Sequence, residues 1–459
     1  MNDYMASVPR SFDLTEPLAA LPDNAQQTLV TIRPDNAGPY SPQQIITCSL
    51  GQRGWLDPKS LSIRYKCTVV TSALATQVAM IGCPVYTPFQ RLNEYCGGQT
   101  ISSVNSYNQT CQVLVSGGYS VSSKYGLQNC FGYTNADNTN PNMDGRQIKT
   151  VSQGLFAITD TYFVSAPLLG SMLGSSSKMI PLFAVPQLRI ELTLDALTNM
   201  FYTGPGTGAI SSEAAASVTI SNFELVYSMT DLGAEVERYT LASAPQLKIK
   251  TMGYNNSAVV LPAASSGSTA LVFNQRFSSI KSAFILPAST QYNKWGDFLD
   301  LTNGATIAGT ITAGAGGDYS LTIGNVSYPQ TPLSSVLNRS GILQETRRAF
   351  GCLFDSDNNN SINATEWNCN INYNVAVDAT ARSTTPQEPG KFIVGVDLDK
   401  VAWTDRTLMS GVSTFGTSIS VNINVGAVAT NQPANVGLLL CYDAIMVIDT
   451  VGKQMSVRS

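Results

Sequence analysis

Strict alternation of apolar and polar residues constrains this chain more than any other feature. Leu61-Ser-Ile63-Arg-Tyr65-Lys-Cys67-Thr-Val69 and Leu188-Arg-Ile190-Glu-Leu192-Thr-Leu194 put apolar side chains on one face and polar ones on the other. Leu247–Lys250, Tyr319–Ile323, Ile371–Val377 and Ile419–Val425 repeat the pattern. A period of two suits a half-buried antiparallel strand and not a helix. Turn-formers separate the runs: Gly97-Gly98, Gly117-Gly118, Asn140-Pro141, Gly204-Pro-Gly206, Asn303-Gly304, Gly316-Gly317-Asp318 and Pro389-Gly390. Such a chain is expected to be all-β, built of sandwiches or jelly rolls. Helical signal is sparse. Leu333–Phe350 predicts one or two short helices, and Asp195–Phe201 a short one after a strand.

The charged, turn-capable segment Asp231–Ala244 divides the chain. Each side holds roughly 200 residues, enough for one eight-stranded jelly roll with insertions. Both sides close on a long, mostly apolar strand, Val218–Tyr227 and Gly437–Ile448. The expected division is an N-terminal arm over 1–45, a first jelly roll over 46–235, and a second over 236–459 that includes a C-terminal tail. The expected fold is thus two tandem eight-stranded jelly rolls with few short helices.

Composition then removes whole classes of function. The chain has no histidine. That excludes Ser-His-Asp and Cys-His nucleophile activation, histidine metal ligation and an imidazole pH switch. Between about pH 6 and 8 only weak pH dependence is expected, unless a carboxylate is shifted upward. Charged residues are 13 % and apolar ones 43 %, with a net charge of −4, so a folded chain with a polar, weakly charged surface is expected. The 27 Lys and Arg are scattered, whereas phosphate neutralisation needs them clustered. Direct sequence-specific nucleic-acid binding is therefore not expected. The nine cysteines contain no CxxC pair and read as small buried residues in a reducing compartment. No basic segment followed by an apolar run opens the chain, and the apolar stretch Val436–Ile448 is too short to span a bilayer. Asn-x-Ser/Thr triplets at Asn108, Asn255, Asn325, Asn338, Asn359 and Asn363 read as chance matches in a chain rich in those residues.

No residue is assigned a catalytic or cofactor-binding role. The sharpest local motif is Asp355–Glu366, where Asp355, Asp357, Asn359, Ser361 and Glu366 stand at the oxygen-ligand spacing of an EF-hand calcium loop. Asn360 replaces the usual glycine, and a strand-like run rather than a helix follows. A solvated Asn/Asp loop is the plainer reading, and calcium is retained as a candidate. Gly204-Pro-Gly206-Thr-Gly208 lacks the Lys-Ser/Thr of a phosphate loop and reads as a hairpin loop. No carboxylate spacing nominates a glycosidase pair. Arg347-Arg348 and the Lys248, Lys250 pair read as a solvated face or a subunit salt bridge. Trp55, Trp295, Trp367 and Trp403 read as core or subunit-interface anchors.

Two stretches carry a family resemblance. Phe163-Val-Ser-Ala-Pro-Leu-Leu-Gly-Ser-Met-Leu-Gly174, followed by Ile180-Pro-Leu and the strand to Leu194, resembles the late first-domain region of double jelly-roll major capsid proteins. Ile180 stands where that pattern has Leu. The ending Gly411–Thr414, Ile419–Ile423 and Leu438–Ile448 is similar to the closing strands of such proteins in polinton-like viruses and virophage relatives. The resemblance implies a structural protein of the tectivirus–adenovirus lineage, located in the virion shell and assembled inside the infected cell. It implies homotrimers that form pseudo-hexagonal capsomers, which tile an icosahedral shell around double-stranded DNA. It also implies neighbouring capsomers and minor capsid and penton proteins as partners, and no catalytic residue. Two tandem β domains on a threefold ring give six similar units, which agrees with that expectation. The competing readings are a carbohydrate-binding β-sandwich (lectin or adhesin), a carboxylate glycosidase, and a capsid protein with a single jelly roll plus projection.

Overall fold

The computed structural model describes residues 25–71, 78–80, 83–120, 123, 127–131, 147–148, 159–203, 215–243, 245–260, 267–289, 318–334, 339–354, 393–400, 409–425 and 433–459. The first half contains β1 (Gln26–Ile32), β2 (Ile45–Ser49), β3 (Trp55–Leu56), β4 (Ser62–Thr71), β5 (Val78–Met80), β6 (Phe89–Cys96), β7 (Gln99–Asn105), β8 (Gln147–Ile148), β9 (Thr159–Pro167), β10 (Ile180–Pro181), β11 (Leu188–Leu194), β12 (Phe201–Thr203) and β13 (Ala215–Asp231). The second contains β14 (Gln246–Val260), β15 (Gly267–Phe273), β16 (Ile280–Ser289), β17 (Asp318–Ile323), β18 (Val326–Ser334), β19 (Val394–Asp397), β20 (Ile419–Val425), β21 (Pro433–Asp449) and β22 (Gln454–Arg458). The principal helices are α1 (Tyr107–Gly118), α2 (Ala234–Ser243) and α3 (Arg339–Phe354).

Pairing shows that the two halves share one topology. Without the short strands β3, β5, β8, β10 and β12, the first half has eight strands. They pair in the orders β1-β13-β4-β9 and β2-β11-β6-β7. In the second half the orders are β14-β21-β16-β19 and β15-β20-β17-β18. Both read first-eighth-third-sixth and second-seventh-fourth-fifth, the interlocked order of a jelly roll. The eighth strands, β13 and β21, are 17 residues each and are flanked on both edges. In β21 this explains the long apolar run, because a central strand buried on both faces has no solvent face to alternate with, whereas β13 keeps an outward face at Asn222 and Glu224. Elsewhere the alternation translates directly into burial. Along Leu188–Leu194 every second residue is buried.

The structure corrects five expectations. Gln26–Ile32, placed in an arm by the sequence, is the first strand of the first jelly roll and pairs with β13 from Asp231 back to Leu225. Its residues are exposed or half-buried, and only Val30 and Ile32 pack partly on the core, so no clear alternation announces it and its ladder does much of the holding. Asp231–Ala244 is largely helical rather than a turn, with α2 joining the two jelly rolls. The helix sought over Leu333–Phe350 begins at Arg339 and runs to Phe354, while Leu333 belongs to β18. Gly117-Gly118 is the end of α1, not a turn between strands. Asp195–Phe201 shortens to a single 3-10 turn at Leu197–Asn199. The run Ile371–Val377 lies outside the described residues.

Each jelly roll has an aromatic core. Tyr65, Phe89 and Phe223 meet in the first, with Tyr65–Phe89 edge-to-face at 5.5 Å. Phe284 meets Phe350 of α3 at 4.6 Å in the second. Among the described residues, Cys48, Cys67, Cys83, Cys96, Cys111 and Cys441 are buried and form no disulfide, as suits small apolar residues.

Candidate functional site: the seam and the outer surfaces

The most elaborate polar construction in the molecule is the seam between the two jelly rolls. α1 follows the fifth strand of the first jelly roll, as α3 does in the second. Eleven of its twelve residues are buried, among them Asn108, Gln109, Thr110, Gln112 and Ser116. A polar helix survives burial only if its side chains find partners. Asn108 Nδ2 donates to Asp195 Oδ2 at 2.7 Å, and Asp195 Oδ1 accepts from Ala196 N and Asn199 Nδ2. Across the seam, Asn256 Nδ2 of β14 donates to Gln109 Oε1 at 3.0 Å. A Cβ on Gly117 would overlap the Phe350 ring, so glycine lets α1 touch α3. A Cβ on Gly253 would collide with Tyr442, which stacks on Phe277 at 3.9 Å. Asn108 is 2 % exposed, so its triplet is no glycan site in the folded chain.

The stretch that carries the resemblance lies on this seam. Gly170 has φ 69°, a left-handed turn that favours glycine. The following residues, Ser171–Ser177, form a strap. Its outer side is tied to the second jelly roll: Thr251 Oγ1 donates to Met172 O at 2.5 Å, Ser177 N donates to Lys250 O at 2.9 Å, and the Ser175 and Tyr254 side chains are hydrogen-bonded. Its inner side is tied to Glu94 of β6. The carboxylate accepts from the Ser171 hydroxyl, from Met172 N at 2.9 Å and from Leu173 N at 3.4 Å. Burial raises the Glu94 carboxyl to about 7 against those three hydrogen bonds, which lower it. No candidate in the sequence reading included Glu94. The signal was its parity: it shares the inward register of Leu92 and Cys96, where an acid is out of place.

The outer surfaces carry a second set of features. A groove of about 410 Å³ crosses the outer face of β4, β9 and β13, lined by Arg64, Lys66, Phe163, Ser165, Asn222 and Glu224. Phe163 is 68 % exposed, with Lys66 Nζ 5.9 Å from its ring centroid. Tyr239, Val260 and Val451 are also exposed. Arg348 pairs with Glu345 at 3.2 Å on the solvent side of α3, Lys248 is exposed on β14, and Trp55 packs edge-to-face on Phe183 at 5.3 Å. The calcium candidates Asp355, Asp357, Asn359, Ser361 and Glu366, the Gly204–Gly208 loop, and Trp295, Trp367 and Trp403 lie outside the described residues. Among the described residues no cluster of three Cys, Asp or Glu is placed to hold a metal ion. Among them too, no helix is long and apolar enough to cross a membrane.

No family model and no curated protein matches the sequence. Solved structures do match along nearly the whole chain. A chain of the Sputnik virophage aligns with a TM-score of 0.60 at 12 % identity, covering 99 % of this chain and 93 % of that one. The Faustovirus major capsid protein aligns with a TM-score of 0.56 at 9 % identity, covering 96 % and 93 %. The mavirus major capsid protein aligns with a TM-score of 0.53 at 10 % identity, covering 100 % and 96 %. At such identities the likeness is one of architecture, and it extends over both sets of eight strands. The chain has the double jelly-roll fold of these viral major capsid proteins.

Proposed function

We propose that this chain is the structural subunit of a viral shell. The observation that carries the reading is the exact repetition of one pairing order in two consecutive sets of eight strands. Three copies around a threefold axis would present six similar units, a pseudo-hexagonal block that tiles a closed icosahedral surface. The fold-level likeness to the Faustovirus and mavirus major capsid proteins supports the same reading. Phe163, Tyr239, Val260 and Val451 supply apolar surface for subunit contacts. The role is structural rather than enzymatic. In this proposal the subunit resides in the virion, forms homotrimers, and meets neighbouring capsomers together with minor capsid and penton proteins around a double-stranded DNA genome.

The test is the mass of the purified chain by light scattering. A particle of three times 49.0 kDa is expected. A stable monomer that binds glycans would instead place the chain among carbohydrate-binding β-sandwich proteins.

A further inference from the structure

The strap is held to the second jelly roll by main-chain and hydroxyl groups that do not titrate near neutrality. On the first, Met172 and Leu173 are buried in the core and the polar hold is one carboxyl group, Glu94, that does. We propose that Glu94 and the strap Ser171–Ser177 form a proton-operated latch between the two jelly rolls, shut while the Glu94 carboxyl is protonated and loosened when it ionises.

Three observations carry this. First, Glu94 is fully buried, so its charge has no water while the strap is shut. Opening the strap hydrates it. Second, among the described residues no positive charge acts on it. The titratable groups that face it are the phenols of Tyr107 on α1 and Tyr442 on β21. Burial pushes both upward, Tyr442 to about 12, so they stay neutral throughout the relevant range. Third, the chain has no histidine to titrate in the same window.

The direction follows from linkage. The shut state holds the Glu94 proton to about pH 7, whereas an exposed glutamate releases it near 4.5. Raising the pH through this interval therefore favours the open strap, by about tenfold between pH 6 and 8. The device belongs to the single chain and does not depend on the shell reading.

The experiment is hydrogen exchange of the full-length chain at pH 6 and pH 8, corrected for the intrinsic chemical rate. In the wild type, exchange at the amides of Met172–Ser175 should rise by about tenfold beyond that correction. Glu94→Gln, neutral at both values, should abolish the rise. Ser171→Ala removes a hydrogen bond that favours the ionised carboxyl, so it should move the midpoint to higher pH. A wild type with no excess rise overturns the proposal. So does an equal rise in Glu94→Gln. Should that variant not fold, an unmoved midpoint in Ser171→Ala overturns it instead.

Discussion

The two jelly rolls have one strand order and two different ways of using the helix that follows the fifth strand. In the first, α1 is buried on nearly every side and carries polar residues that reach across the seam. In the second, α3 buries Ile342, Thr346, Ala349 and Phe350 on one face and leaves Arg347 and Arg348 to solvent. Topology places a helix at this point of the chain. What covers the helix decides its composition. α1 is covered by the second jelly roll, whereas within a single chain α3 keeps an open side. Equivalent positions therefore need not look alike in sequence, which is how two repeats can share a pairing order without a sequence repeat.

The largest effect expected bears on whether the two units are independent. Phe89→Ala and Phe284→Ala each empty the centre of one core and should cost about 3–5 kcal/mol. Because the seam is hydrogen-bonded on both sides of the strap, calorimetry should show either variant lowering one common transition. Two transitions, only one of which moves, would break the comparison by making the halves separate folding units.

Next is the ion pair of Lys281 and Asp399, 3.3 Å apart with side chains 13 % and 4 % exposed. It is confined to the second jelly roll. Lys281→Met removes the ion-pair partner of a buried carboxylate and should destabilise by about 3 kcal/mol in urea titrations at neutral pH.

Glu94 gives a pH-dependent term belonging to the first. Its carboxyl is raised by burial, so the stability it contributes is complete below about pH 4.5 and is lost as the pH rises through about 7. Relative to Glu94→Gln, the wild type should lose about 2 kcal/mol between pH 5.5 and pH 8, read as a shift in urea midpoint. A constant difference between the two proteins would contradict this. The smallest effect belongs to the exposed face of α3. Arg348→Ala breaks a surface pair with Glu345 and should change the melting free energy by less than about 0.5 kcal/mol in the isolated chain.

Legibility in the sequence followed burial. Strands with one buried face, such as Ser62–Thr71, Leu188–Leu194 and most of β13, announced themselves by alternation, and the central β21 by a long apolar run. Gln26–Ile32 buries no residue fully, only Val30 and Ile32 in part, and reads in sequence as an arm. α1 was missed because Asn108, Gln109, Thr110, Gln112 and Ser116 face protein rather than water, which removes the amphipathic stripe that marks a helix. The Pro167–Gly174 stretch was noticed for its resemblance. Its role as a strap depends on Glu94, Thr251 and Tyr254, which lie far away in the chain.

The central claim is that two equivalent jelly rolls per chain become six units per particle. Class averages from electron micrographs of the purified chain test it directly. The account predicts a threefold particle with a six-cornered outline. Three-cornered particles, or single two-lobed chains that never associate, would contradict it.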